Sequence, residues 1–340
     1  MPKQSHTSEA NAHRRVLITG GTGSVGTAFI KTYAGEFDFY STSRGRSDAV
    51  DEANPQVDAR SYRVDVRDLD ALKTVFCEVK PDVVIHAAAL KAVNLAEVQP
   101  SLAIEINVVG TLNVIKACMH AAVPVAVAIS TDKACQPENI YGYSKKITEQ
   151  IWLEHHSNDT RFVCARLANV AGSAGSVIPI WLKSAFAGET LKLTDSRMNR
   201  LMFSAEEASE LVRKTADYAH QVDAPFVLVR KMKSVNMLQL ANAISADFGD
   251  GRPPETIGLR PGERLNETLV SDAELDVAYE ADDGLHIMLH SDAIGQRLLK
   301  RELSSLTAEY MSDEEIRALY DGHAKKLLAA GAGTRKRRAG

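Results

Sequence analysis

Val16-Leu17-Ile18-Thr19-Gly20-Gly21-Thr22-Gly23-Ser24-Val25-Gly26 decides the fold. The apolar and β-branched residues predict a buried strand, the glycines a tight turn, and Thr27 to Tyr33 a helix. Strand, glycine turn and helix in that order form the dinucleotide-binding arrangement. Glycine lets the backbone approach a pyrophosphate, which then sits on the helix N-terminus. The spacing is GxxGxxG from Gly20 to Gly26 rather than GxGxxG. Gly20, Thr22, Gly23, Ser24, Val25 and Gly26 are the first cofactor candidates. A tight turn alone would use the same glycines; the strand and helix units that follow favour a cofactor.

Phe37 to Thr42 reads as the second strand, running into Ser43-Arg44-Gly45-Arg46. NAD sites usually carry an acid here for the ribose 2′-hydroxyl. Ser43, Arg44 and Arg46 stand instead, and guanidinium forks suit a 2′-phosphate, so NADP is expected over NAD. A solvated basic turn is the plain alternative. Arg60 to Val64 is the third strand, followed by Asp65 and Val66. Asp65 is placed for an adenine amino group, or for a helix N-cap, a role that suits Asp68 better. Asp82 to Ile85 is the fourth strand. It ends in His86-Ala87-Ala88-Ala89-Leu90-Lys91, whose small Ala87, Ala88 and Ala89 would let a ligand lie close to the backbone. Lys91 is a cofactor or substrate contact, or an ordinary surface lysine. Pro100 to Ala121 reads as a long helix. Asn107, a poor helix former, lies inside it either on the cofactor side or as a satisfied core amide.

Val123 to Ile129 is a further buried strand, and Ser130 to Lys145 follows as STDKACQPENIYGYSK. Tyr141 and Lys145 are four residues apart at a helix start and so share a face. An ammonium near a phenol lowers its pKa from about 10 toward neutral, which makes Tyr141 a usable general base. Asp132-Lys133 places an acid and a base at the end of a central strand, where open α/β sheets hold their ligands. A surface ion pair is the bland reading. Beyond Arg161 to Leu167 the rhythm weakens. Leu191 to Arg200 is a hairpin or loop, Ser204 with Glu207 predicts a capping box, and a helix runs from Ser234 to Phe248.

The chain has 340 residues, 45% hydrophobic and 25% charged, the composition of a soluble globular protein. A net charge of -4 argues against a nucleic-acid partner. Cys77, Cys118, Cys135 and Cys164 show no metal spacing and read as free thiols. No apolar run reaches the ~18 residues of a membrane span. Met1 to Arg15 is no secretory signal, so a cytoplasmic location is expected.

TGGTGSVG (Thr19 to Gly26), HAAALK (His86 to Lys91) and the Tyr141–Lys145 pair resemble the extended short-chain dehydrogenase/reductase superfamily. Within it, AAALK, STDKACQPENIYGYSK, RLANVAGSAGSVIP (Arg166 to Pro179), TDSRMNR (Thr194 to Arg200) and RPGER (Arg260 to Arg264) resemble the soluble, C5-inverting UDP-N-acetylglucosamine 4,6-dehydratases and related polysaccharide-biosynthesis enzymes. The resemblance covers roughly residues 14 to 275. It implies a doubly wound parallel α/β sheet of the Rossmann type with a smaller C-terminal substrate-binding α/β part. The expected layout is a disordered leader (1–13), an NADP-binding Rossmann domain (14–170) to which 200–235 partly returns, a mainly substrate-binding part (171–330) and a disordered basic tail (331–340).

The resemblance also implies roles. Tyr141 and Lys145 would be the oxidation pair, and Thr131, Asp132 and Lys133 would handle elimination and the C5 proton. Lys91, Asn169, Val177, Thr194, Arg200, Arg260 and Glu263 would contact a UDP-N-acetylhexosamine, in a homo-oligomer without metal or membrane. Dehydratases of the glucose type typically carry Asp-Glu where Asp132-Lys133 stands, epimerases lack the pair, and membrane-bound relatives usually have Met at the Tyr141 position. Ala92, Ala174, the SRMNR form and Asn266 depart from the family pattern near the substrate side. A 4-epimerase, a 4-ketoreductase, a 5,6-dehydratase and a non-catalytic NADP-binding regulator are the competing readings.

Overall fold

Strands buried on both faces read as continuous apolar runs, and the centre of this protein has them. Val16, Leu17 and Ile18, then Val83 to Ile85, then Val125 to Ala128 are all buried. The computed structural model describes residues 14–44, 59–260, 262–281, 283–290 and 295–329, with backbone alone for 295–297. The leader, the tail and Arg46 lie outside the described residues.

Six strands pair in parallel: β1 (Arg14–Thr19), β2 (Phe37–Ser43), β3 (Ala59–Arg63), β4 (Val83–His86), β5 (Val125–Thr131) and β6 (Arg161–Leu167). Their order is 3-2-1-4-5-6, the doubly wound arrangement whose order reverses between β1 and β4. Val227–Arg230 adds in parallel beside β6. His286–Leu289, Ala278–Ala281 and Gly295–Leu298 then complete a ten-stranded sheet with antiparallel pairing. The return of 278–298 to this sheet goes beyond the return of 200–235 expected from sequence.

Helices α1 (Ser24–Thr32), α2 (Leu69–Val79), α3 (Pro100–His120) and α4 (Ile140–Glu154) cover the sheet. Asp68, not Asp65, caps α2 by accepting the Ala71 N–H at 3.0 Å. Asn107 sits in a π-helical turn at Glu105–Val109 within α3. By length and composition α3 could cross a membrane, which the search for apolar runs missed; 56% of its apolar window is buried, as in a core helix.

The smaller C-terminal part has its own core, built on helices Val177–Ala187, Met237–Phe248 and Asp313–Ala329. A three-stranded sheet joins Asn169–Val170, Asn199–Phe203 and Ser234–Asn236. Ser234 therefore opens a strand. The helix begins at Met237, capped by the Asn236 side chain. The capping box at Ser204 and Glu207 is present.

A buried ion network ties the segment around Glu274 to the parallel sheet and α4. Arg166 on β6 donates to Glu149 on α4 at 2.6 Å and to Glu274 at 2.8 Å, and all three are buried. Ser130 donates to Glu149 at 2.5 Å, and Cys135 to Glu274 at 3.1 Å. The loop after β5 is thus gripped from behind.

Candidate active site

One cavity of about 460 Å³ opens at the C-terminal ends of β1, β4 and β5. It is lined by Gly20, Thr22 to Gly26, Ser43, Arg44, Val66, Ala87 to Ala89, Lys91, Thr131, Lys133, Tyr141, Lys145 and Asn169. Gly20 has φ +73°, and a Cβ there would meet the Ala88 backbone at 2.8 Å. No side chain caps α1 at Gly23, so its first amides remain available to a phosphate. These residues fit a nicotinamide dinucleotide. Asp65 and Asn107 are not on this wall. Asp65 is paired with Arg67 at 2.8 Å. Asn107 is buried, its amide spent on the Leu90 backbone at 2.7 Å and on Ser144 at 2.8 Å. Asp65 is held by local charge pairing, and Asn107 has the contacts of a satisfied core amide.

The side chain of Asn139 accepts the Gly142 N–H at 2.8 Å, which starts α4 and sets Tyr141 in its first turn. The Lys145 ammonium donates to the Ile129 carbonyl at 2.6 Å, and burial lowers its pKa to about 8. Burial raises the Tyr141 phenol. The Lys133 ammonium pulls it down. Thr131 ends β5, donates to Asp132 at 2.6 Å and lines the cavity with Tyr141.

Asp132 lies behind the cavity wall, its side chain 1% exposed. Lys133 bridges it, at 3.2 Å, to a carboxylate that sequence reading missed: Glu267, at 2.9 Å. Glu267 also accepts from Asn169 at 2.5 Å and pairs with Arg200 at 3.3 Å. Burial and the Glu267 charge raise the Asp132 carboxyl to about 7. Burial would also raise Glu267, but Lys133 and Arg200 outweigh it and hold Glu267 ionised. Burial alone would neutralise Lys133; the two carboxyl groups keep it an ammonium. A resting neutral amine, which C5 deprotonation needs, is therefore not what this cluster holds. The signal for Glu267 was its position three residues past RPGER.

On the substrate side the picture is mixed. Arg200 is committed to protein: it donates to the Asn199 carbonyl at 2.8 Å and the Arg264 carbonyl at 2.9 Å. The Arg260 amide donates to Glu263 at 3.0 Å within one turn. Thr194 contacts the Met198 sulfur at 3.5 Å. Of these, and of Val177, none lines the cavity. The Ala174 loop does bridge it. Ala174 N–H donates to Ser24 at 3.0 Å, and Lys91 donates to its carbonyl at 3.1 Å.

The sequence profile of the polysaccharide biosynthesis protein family matches residues 16–288. The chain belongs to that family. Within the extended short-chain dehydrogenase/reductase superfamily, this polysaccharide biosynthesis protein is 32% identical over 280 residues to the UDP-N-acetylglucosamine 4,6-dehydratase (inverting) of Campylobacter jejuni, covering 79% of this chain and 81% of the relative. It is 31% identical over 282 residues to the UDP-glucose 4-epimerase of Rickettsia canadensis, covering 79% and 81%. Pen from Bacillus thuringiensis has the same architecture, with a TM-score of 0.82 and 27% identity over 91% of this chain and 98% of that one.

Proposed function

We propose that this protein is an NADP-dependent nucleotide-sugar 4,6-dehydratase acting on UDP-N-acetylglucosamine. The observation that carries the reading is the Asp132–Lys133 ion pair at 3.2 Å, whose lysine lines the same cavity as Tyr141. A 4-epimerase needs a base at O4 only; an elimination needs a second base at C5 and an acid at O6. NADP, when held by the glycine turn, Ala87 to Ala89 and Arg44, would supply the redox chemistry between C4 and C6. The protein supplies the proton transfers. Tyr141 takes the O4 proton, Lys133 handles the C5 proton, and Asp132 protonates the departing O6. Lys91 and Asn169, on the cavity wall, are proposed sugar contacts; Val177, Thr194, Arg200, Arg260 and Glu263, which lie off that wall, would contact the nucleotide sugar only if the substrate reaches beyond it. The inverting relative from Campylobacter jejuni supports the substrate. The epimerase relatives, equally similar, support a 4-epimerase as the second reading.

The test is the proton NMR spectrum of protein and UDP-N-acetylglucosamine in D₂O. A new C6 methyl signal with deuterium at C5 is the expected result; a 4-epimer with its 6-hydroxyl intact would overturn it. Cofactor choice has its own test. Arg44 lines the cavity beside Asp65. Losing a charge-assisted hydrogen bond costs about 1.5–3 kcal/mol, so Arg44→Ala should weaken NADP about 10- to 100-fold and leave NAD unchanged by calorimetry. Equal weakening of both would assign Arg44 to the pyrophosphate or to structure.

A further inference from the structure

We propose that Glu267 is a positioning residue: it turns the Asn169 side chain so that its carbonyl oxygen, not its amide nitrogen, meets the substrate. The identity of that substrate rests on the dehydratase reading; the orientation rests on geometry. Asn169 lies on the cavity wall. Its Nδ2 donates to the Leu201 carbonyl at 3.1 Å and to Glu267 at 2.5 Å. The Glu267 carboxylate is paired with two cations, Lys133 at 2.9 Å and Arg200 at 3.3 Å. A backbone carbonyl and a carboxylate can only accept, so the NH₂ group of Asn169 must face them. Both amide hydrogens are then spent on the protein. What Asn169 has left is Oδ1, which takes no hydrogen bond from the described residues.

Glu267 can hold this orientation because it is itself fixed. It is buried, its N–H donates to Ser305 Oγ at 3.0 Å, and its carbonyl accepts the Ser305 N–H at 2.8 Å. Its side chain does not line the cavity. It lines a small recess that shares Lys133 with the cavity. An exposed asparagine amide turns over freely and can offer a donor or an acceptor. Turning Asn169 over would set Oδ1 against a carboxylate and a carbonyl, two contacts between acceptors. The wall therefore presents an acceptor at this point. A pyrophosphate carries only acceptors at neutral pH, so it gains nothing from Asn169. Sugar hydroxyls and an acetamido N–H are donors, and they fit. In Glu267→Gln the new amide has an oxygen and an NH₂ group to place. Lys133 and Arg200 draw the oxygen, the NH₂ group then faces Asn169, and Asn169 turns over.

Two measurements on the full chain test this. The first is the nitrogen-15 NMR spectrum of the side-chain amides, with the Asn169 pair identified by its absence from Asn169→Leu. In wild type both protons should exchange slowly with water, and the one on the carboxylate should lie downfield. Glu267→Gln should remove that shift and speed the exchange of both. Glu267→Asp, which keeps the charge, should keep the shift in part. Fast exchange of both protons in wild type, or a pair unmoved in Glu267→Gln, overturns the orientation. The wild-type spectrum decides this even if Glu267→Gln does not fold.

The second is calorimetry on protein loaded with NADPH, which cannot accept hydride, so that UDP-N-acetylglucosamine binds without reacting. Glu267→Gln should weaken this ligand about 3- to 10-fold, the worth of one neutral hydrogen bond, and leave UDP unchanged. In the Asn169→Leu background the same change should add nothing, because its effect runs through Asn169. No weakening, equal weakening of UDP, or a full loss persisting in the Asn169→Leu background would overturn the selection of the sugar. A wild type that binds no UDP-N-acetylglucosamine would refute the substrate reading, while the NMR spectrum would still decide how Asn169 is turned.

Discussion

Lys133→Ala is expected to lower dehydration by about 10²- to 10⁴-fold, the range over which a positioned acid or base acts. The lysine sits between two carboxyl groups and reaches the cavity wall, its side chain one quarter exposed. Asp132 and Glu267, by contrast, are nearly dry. It is thus the member of the cluster on the cavity wall. The glycine loop, Ala87 to Ala89 and Arg44 do not depend on it, so cofactor affinity should hold and C4 oxidation should persist in part. Rapid-mixing absorbance for the reduced cofactor and NMR for the methyl product separate the two steps. Dehydration at the wild-type rate in Lys133→Ala would refute the role. Loss of both steps together would assign Lys133 mainly to Tyr141, whose phenol it also holds down.

Arg166→Ala should be the most destabilising single change, costing about 3–5 kcal/mol, because it strands two buried carboxylates. Arg166 has no exposed surface, and it bonds Glu149, Glu274 and the Leu269 carbonyl at 2.9 Å. Arg166→Met, which keeps most of the volume, should lose nearly as much, since the deficit is charge and not space. Urea unfolding measures both; a loss under about 1 kcal/mol would mean the pocket rehydrates instead. The pH dependence has a definite sign. Arg166 outweighs burial and holds Glu274 down at about 2, and Glu149 is lowered too. Both lie below the unfolded value of about 4.3, so their contribution is complete above that pH. It is lost as pH falls toward 2. In Arg166→Ala this acid limb should flatten.

The parts legible in sequence were those carried by local pattern. The glycine turn, the apolar strands, the Ser204 capping box and the position of Tyr141 are each written within about ten residues. What stayed hidden depends on residues far apart in the chain. Glu267 meets Lys133 only because Thr268–Val270 packs behind the turn after β5. The family resemblance marked Arg200 as a substrate contact, whereas the fold engages it with backbone carbonyls and Glu267. The four-residue spacing put Lys145 and Tyr141 on one helix face, and both line the cavity. It could not reveal that the Ile129 carbonyl takes the ammonium.

The Arg166 network also orders events while the chain is being made. Its first carboxylate, Glu149, lies 17 residues away and emerges first; its second, Glu274, lies 108 residues downstream. A nascent chain that has passed β6 can already form the glycine turn, the six parallel strands and a one-to-one Arg166–Glu149 pair. It still lacks Glu267 and Glu274, which arrive together near the end of synthesis. The Asp132–Lys133–Glu267 cluster is therefore completed long after the cofactor cradle, with only the antiparallel strands of 278–298 and the helix Asp313–Ala329 still to follow.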